Sequence, residues 1–368
     1  MTSGGNSSPA RIRQLRRGAL LASAFGLVAA YVLFQLTRGE VSWAELAKVD
    51  PKMLALALSL VVFTWVVDGL RMKVLVQALG GRLSLGRAVR VAILGTFVSN
   101  VTPFDSGGEP FQAYLLSSPD FTPGQASAVV AVKTVLNVFA RVSLGLTASV
   151  ALLWQWPDGA WRLSPALAVA CGAGILVSLG VFAFVLYFFI IRPERIQQLA
   201  VAAVRNRFTL RLFRQETIDR AIERLNSELI EFRTALDRFV TSYRVELAKV
   251  LLLSFGWWLS TALVPALVLR GLGFPCSIIQ VMAITVVFYL AAAYAPTPGS
   301  SGAAELGFAA LFSSVAPRAV LGVFVMVWRA ITYYLNLALG AVLMATGVLR
   351  SGPSVNPGRN QRGRSEAA

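Results

Sequence analysis

The chain has 368 residues, 56% of them hydrophobic and 14% charged, with a net charge of +16 and no histidine. An ordinary soluble domain carries about 25% charged residues, so this balance excludes that class; the missing histidine excludes His-based triads, haem ligation and the usual zinc sites. The basic excess sits in loops and tails, where it sets membrane topology, and no nucleic-acid partner is expected. The cysteines, Cys171 and Cys276, are single and far apart. They form neither a CxxC pair nor a disulfide framework and read as packing residues. No metal site, cofactor or catalytic residue is expected.

Apolar runs long enough to cross a bilayer core of about 30 Å recur along the chain. Residues 1–17 are a basic N-terminus, held in the cytoplasm by Arg11, Arg13, Arg16 and Arg17. The first span, 18–37, is too long for a signal-peptide core and lacks a clear cleavage site. The next loop balances Arg38, Lys48 and Lys52 against Glu40, Glu45 and Asp50 and fits outside. A second span, 53–79, returns to a cluster of Arg71, Lys73, Arg82, Arg87 and Arg90, which is cytoplasmic. Asp68 and Arg71 form a local helical pair, three residues apart; snorkelling suffices for Arg71, and Asp68 is a weaker site candidate.

The stretch 87–116 is broken by TPFDSGGEPFQAYLL. Span 124–153 ends outside at WQWPDGAW, so the broken stretch must enter from the cytoplasm and return to it, as a re-entrant hairpin. Pro103, Gly107 and Gly108 supply its turn, Pro110 suits the first helical position, and Glu109 is the charge on a half-helix N-terminus. For Asp105, turn capping is the expected role. Span 164–191 comes back in. Within the polar segment 192–244, Ile218, Ile222, Leu225, Leu229, Phe232, Leu236 and Phe239 alternate four and three apart. That seam fits either an amphipathic helix covering the cytoplasmic face or a contact through 216–240 with a second copy or a membrane enzyme. Span 245–269 goes out. Stretch 277–315, with Pro298, Gly299 and Gly302 at its turn and Ser300 or Ser301 as a helix cap, forms a second hairpin from the opposite side. The last span, 319–349, ends inside, and 351–368 is a disordered basic tail suited to anionic lipid.

The hairpins repeat one another weakly. Each has a proline, small residues and glycine, one glutamate, and a short apolar helix ending in Ser-Ser. Glu109 precedes Lys133 by 24 residues, and Glu305 precedes Arg329 by the same 24. The expected fold class is an all-α polytopic membrane protein, with about six full spans and two oppositely oriented re-entrant helical hairpins in an inverted repeat. Lys133, Asn137 and Arg141 form a polar stripe on one helix face, as do Arg329 and Tyr333, with Asn336 one step round. A charge at a span centre costs about 2.5–3.5 kcal/mol, so these cations need partners. Glu109 for Lys133 and Glu305 for Arg329 are the candidates, as structural pairs or as a head-group site.

The motifs PFDSGGEPFQAYLL, PTPGSSGAAELGFAALF and VWRAITYYLNLALGAV, in this order, resemble the lysylphosphatidylglycerol synthase transmembrane-region family. That is the flippase-like membrane domain of the multiple-peptide-resistance factor, and the resemblance covers roughly 15–350. It implies a flippase-like membrane domain, 18–350, in the cytoplasmic membrane of a bacterium or archaeon. It also implies movement of an anionic or aminoacylated lipid, or a lipid-linked sugar, between leaflets. Two-domain relatives carry a cytosolic aminoacyl-transferase domain; here the chain ends about twenty residues after the last span, so lysyltransferase activity is not expected. Relatives often have a basic residue where this chain has Gln112 and another where it has Ala304. If those bind phosphate, this chain relies more on Lys133, Arg141 and Arg329.

A lipid translocase is therefore the expected function, with membrane lipids and an anionic or lipid-linked substrate as partners. The alternatives are a non-transporting scaffold for an envelope-lipid enzyme and, lower, an enzyme acting on lipid phosphate.

Overall fold

A computed structural model describes residues 50–155, 215–292, 303–346 and 354–355, with scattered positions between 172 and 187. Four described helices are long and apolar enough to cross a membrane: Pro51–Ala78, Pro123–Ala151, Arg244–Gly271 and Val320–Ala345. They coincide with the expected spans 53–79, 124–153, 245–269 and 319–349. The expected span 18–37 lies outside the described residues, as does all but the scattered part of 164–191.

Helix α1 (Pro51–Ala78) begins where local chemistry favours it. The Asp50 carboxylate accepts from the Lys52 amide at 2.9 Å, and Pro51 takes the first helical position, whose N–H would lack a partner anyway. Helix α2 (Leu85–Val101) ends because Pro103 pushes Thr102 into extended backbone (φ −111°, ψ 146°). A 3₁₀ turn, Pro103–Asp105, leads into helix α3 (Gly108–Leu116). The Gly107 amide donates to Thr102 Oγ1 at 3.0 Å, and a Cβ on Gly108 would meet the Gly95 carbonyl at 2.7 Å. Further along, Gln112 lies against Gly95. The two helices thus fold back on one another as a hairpin.

This hairpin differs from expectation in its details. Both glycines carry right-handed backbone or close contacts; positive φ falls on Phe104 (56°) and Asp105 (52°) instead. Pro103 does start the turn, but Gly107 and Gly108 serve the close approach of α3 to α2. Helix α3 starts at Gly108, so Pro110 sits inside its first turn, where a missing N–H is still harmless.

Helix α4 (Pro123–Gln155) is the second of the four long helices, and α5 (Gln215–Ser242) packs across its start. The Glu228 carboxylate accepts from the Gly124 amide at 2.7 Å, and Glu231 accepts from the Gln125 side chain at 3.2 Å. A carboxylate at a helix N-terminus is favoured by the exposed amides there. Phe232 and Phe239 of the seam, with the neighbouring Ala235, are buried with Met72, Leu75 and Phe121, and Leu236 is partly buried against them. The seam therefore covers its own bundle.

Helix α6 (Arg244–Gly271) runs antiparallel to α1. The Asp50 amide donates to Gly271 O at 2.7 Å, while Arg71 near the other end reaches Ser254. Helices α7 (Ile278–Ala292) and α8 (Ala303–Phe312) pack together; the link carrying Pro298, Gly299, Ser300, Ser301 and Gly302 lies outside the described residues. The last span is α9 (Arg318–Arg329), a π-helical segment (Ala330–Tyr334) and α10 (Leu335–Ala345). A two-residue antiparallel pair, β1 (Gly81–Arg82) with β2 (Ser354–Val355), brings part of the C-terminal tail to the end of α1.

Besides a small cluster joining Phe97, Val98 and Val101 to Tyr333 and Leu337, two larger hydrophobic clusters divide the interior among the described residues. One joins α6 to α9 with the first half of α1; the other joins α2 to α5 with its second half. Helix α1 is thus shared, and its crossing with α2 is tight. A Cβ on Gly69 would lie 2.7 Å from Val89 N and 2.9 Å from Ala88 C, both backbone atoms that cannot swing aside. Gly69→Ala is expected to lower stability by about 1–3 kcal/mol. Gly256→Ala, where a Cβ meets nothing within 4 Å, should be neutral or stabilising by up to about 1 kcal/mol. Thermal midpoints of the two detergent-solubilised variants check the contrast.

Candidate functional site

Four helices bring polar side chains to one buried point. Helix α1 presents Asp68 and Arg71 one turn apart, with Arg71 Nη2 2.6 Å from Asp68 Oδ1. Lys133 of α4 approaches the same oxygen at 3.3 Å and donates to Gln112 Oε1 of α3 at 2.5 Å. The Gln112 amide nitrogen donates to Asp68 Oδ2 at 3.4 Å. Gly95 makes room for Gln112, because a Cβ there would overlap its amide. On its other side Arg71 Nη1 donates to Asn137 Oδ1 at 2.7 Å and to Ser254 Oγ of α6 at 3.1 Å. Its guanidinium lies over the Trp257 ring, 5.4 Å from the centroid.

Two cations therefore share one carboxylate, and Arg71 (2% exposed) and Lys133 (6%) are both buried. Arg71 Nε is buried with no hydrogen-bond partner among the described residues. Removing one member of a buried charge pair costs about 3–5 kcal/mol, because it strands the other. Asn137, Gln112 and Ser254 are neutral groups that satisfy the cations without cancelling their charge. Arg141, two turns beyond Lys133 on α4, lies over Trp258 at 5.9 Å, and the Trp258 indole donates to Asn137 O at 3.1 Å.

The second charged point uses different chemistry. Arg329 Nε lies 2.9 Å from Glu305 Oε1, with Glu305 0% and Arg329 5% exposed. Aromatic rings surround the guanidinium: Trp328 at 5.1 Å and Tyr333 at 4.9 Å. Phe308, one turn beyond Glu305, stacks on Trp328 at 3.9 Å and on Phe312 at 4.0 Å, which seats α8 against α9. The π-helical segment begins directly after Arg329 and carries Tyr333. Such segments recur at functional sites.

The two halves meet here. Tyr333 OH donates to Asn100 O of α2 at 3.4 Å, Asn100 Nδ2 to Asn336 Oδ1 at 3.2 Å, and Asn336 Nδ2 to Ile93 O at 3.4 Å. A chain of rings also connects the charged points. Trp257 contacts Trp258 (4.8 Å), Trp258 contacts Tyr289 (5.6 Å), Tyr289 contacts Phe288 (5.2 Å), and Phe288 contacts Trp328 (5.8 Å).

Asp105 sits on the turn of the first hairpin, outside the four spans. Its main-chain carbonyl accepts from Ser99 Oγ at 3.0 Å, while its carboxylate Oδ1 is buried with no hydrogen-bond partner among the described residues. The carboxylate does not cap the turn as expected. Burial, with Glu109 nearby, pushes this carboxyl up to about 6, against the pull of Arg329.

A family profile described as lysylphosphatidylglycerol synthase TM region matches residues 19–340. The chain belongs to that family. It is also 25% identical over 321 residues to a UPF0104 membrane protein of Archaeoglobus fulgidus, covering 87% of this chain and 94% of the relative.

In this member of the lysylphosphatidylglycerol synthase TM-region family, the stripe Lys133–Asn137–Arg141 faces α1 and α6. Glu305, Arg329 and Tyr333 form the second group, and the Glu305–Arg329 pair is made. The Glu109–Lys133 pair is not: Glu109 is exposed, and Lys133 turns to Asp68 and Gln112. Ser254 and Trp257 are partners that the sequence does not signal; Gln112 stands in the sequence only as a departure from relatives, and Asp68 only as a weaker candidate. Asp68 carried a signal, an acid inside a span, which the neighbouring Arg71 masked as a local pair. Asp68→Asn should therefore destabilise by about 3–5 kcal/mol, while Glu109→Gln stays within about 0.5 kcal/mol of the parent. Denaturation midpoints of the two variants decide between the pairings.

Proposed function

We propose that the chain is a flippase-like lipid translocase. Its substrate is a lipid with an anionic head group: an anionic, aminoacylated or glycosylated phospholipid, or a polyprenyl-phosphate lipid. It moves that lipid between leaflets of a bacterial or archaeal cytoplasmic membrane, with both termini cytoplasmic. Membership of a family whose membrane region is flippase-like supports this reading. The observation that carries it is the surplus of buried positive charge at Asp68, Arg71 and Lys133.

A head-group phosphate arriving between Arg71 and Lys133 would take the place that Asp68 shares between them. Two unit charges about 4 Å apart attract by about 4 kcal/mol at an effective dielectric constant near 20. That is enough to bind, and weak enough to release when Asp68 returns. Gln112, Asn137 and Ser254 can re-aim their hydrogen bonds during the exchange. Arg141 and Arg329, each over an aromatic ring, are further stations for the same phosphate along the ring-lined route. Turns of non-helical backbone at membrane depth are tolerated where they are buried or line a cavity, so a re-entrant placement of both hairpins accords with this role.

The family match lies in the membrane region, so aminoacyl transfer is not carried over to this chain. A scaffold role through 216–240 would have to use the outward side of α5, where Ile230 and Val240 are exposed, because Phe232 and Phe239 cover the bundle. That leaves translocation as the better supported reading. Reconstitution into proteoliposomes with fluorescent head-group-labelled anionic lipid tests it. Wild-type protein should expose inner-leaflet probe to an external quencher. A folded Lys133→Ala, Arg329→Ala double variant should do so at least about tenfold more slowly, a loss of about 1.4 kcal/mol or more in the transition state. Equal rates would end the mechanism.

A further inference from the structure

The mechanism above leaves unused one half-buried acid, Asp105, whose Oδ1 is shielded from solvent. Asp105 follows Phe104 on consecutive left-handed backbone, φ 52° and 56°. Asparagine and glycine enter that region easily, aspartate less so, and a bulky phenylalanine rarely. Left-handed backbone costs an L-residue about 1–2 kcal/mol. Phe104 gains no burial in return, since it is 58% exposed. The turn is held by Ser99 Oγ on the Asp105 carbonyl and by Thr102 Oγ1 on the Gly107 amide. Those bonds fix the main chain and leave the carboxylate unengaged.

The turn lies beside the second charged point: Ser99 Oγ holds the Asp105 carbonyl, the adjacent Asn100 carbonyl accepts from Tyr333 OH, and Arg329 lies over the Tyr333 ring at 4.9 Å. Glu109 of the same hairpin, Arg329 of α9 and Tyr289 of α7 are within electrostatic reach of the carboxylate. Arg329 is already paired with Glu305, which is fully buried and has Tyr334 within electrostatic reach. Two carboxylates, one from each hairpin, therefore stand near a single guanidinium. Both cannot be ionised there as cheaply as one.

We propose that Asp105 is an exchangeable proton-binding residue that, when ionised, competes with Glu305 for Arg329. Protonation transfers H⁺ from water to the Asp105 carboxylate, gives a neutral acid and leaves Arg329 with Glu305. Release of that proton to water restores the negative charge, which draws the hairpin turn towards Arg329 and loosens the Glu305 pair. Arg329 is one of the cations assigned above to the head group, so the consequence for transport rests on the translocase reading. The proton site itself does not.

Site-resolved modification by dicyclohexylcarbodiimide, which attacks protonated carboxyls in apolar surroundings, tests the proposal on the full-length protein in lipid nanodiscs. Mass spectrometry separates Asp105 from Glu109 within one peptide. Labelling of Asp105 should fall about thirtyfold between pH 5 and 7.5, as for a single group titrating near 6. Glu109→Gln removes a negative neighbour and should move the midpoint down. Arg329→Gln removes a positive one and should move it up. Glu109 is exposed, so the first variant keeps the test valid if the second fails to fold. Absent or pH-independent labelling, an unmoved midpoint in Glu109→Gln, or protection by sodium chloride relative to choline chloride would overturn the proposal. The last result would make Asp105 a cation site. Lost lipid movement with labelling intact counts against the translocase alone.

Discussion

A guanidinium or ammonium group inside an apolar bundle must keep hydrogen bonds and countercharge, or the segment bearing it will not stay buried. Arg71 and Lys133 impose that demand on everything around them. Asp68 must come within reach of both. Helix α3 must fold back far enough to deliver Gln112, and α6 must lie antiparallel to α1 so that Ser254 meets Arg71. Gly95 and Gly69 are small because the helices carrying these groups pass closer than a side chain allows. The hairpin, the glycine crossings and the choice of neighbours are consequences of two buried charges.

The two halves meet the same demand with different materials. In the first, amide and hydroxyl side chains carry most of the solvation, and a single carboxylate serves two cations. In the second, the Glu305 carboxylate pairs with Arg329, and the faces of Trp328 and Tyr333 flank the guanidinium. A ring surface attracts a cation without fixing its direction, whereas hydrogen bonds fix it closely. The rings from Trp257 to Trp328 join these two environments across the middle of the bundle.

Local and periodic features were legible in the chain. Four span positions, the Pro-terminated helix before the first turn, the polar face of α4 and the Glu305–Arg329 pair all follow from spacing and composition. The partner of Lys133 did not. Equal spacing in the two motifs pointed to Glu109, yet Asp68 comes from a different helix, 65 residues away, and no periodicity within one segment reports such a neighbour. Gln112 was hidden for a related reason, since a neutral amide signals nothing until the cation it serves is known. The turn also misled. Adjacent glycines pointed to the turn itself, whereas here they answer to crowding, and the positive φ falls on Phe104 and Asp105. The second turn and the spans at 18–37 and 164–191 stay as the sequence left them.

The π-helical segment between Arg329 and Leu335 holds one residue more per turn than the helix on either side. If that extra residue is passed along the chain, everything beyond it rotates by about 100° about the helix axis. Such a phase change in the last span would turn Asn336 away from Asn100 and Ile93, undoing the polar stitch between the halves without breaking either half. The last span therefore contains a built-in pivot, placed directly after the cation that two acids can claim.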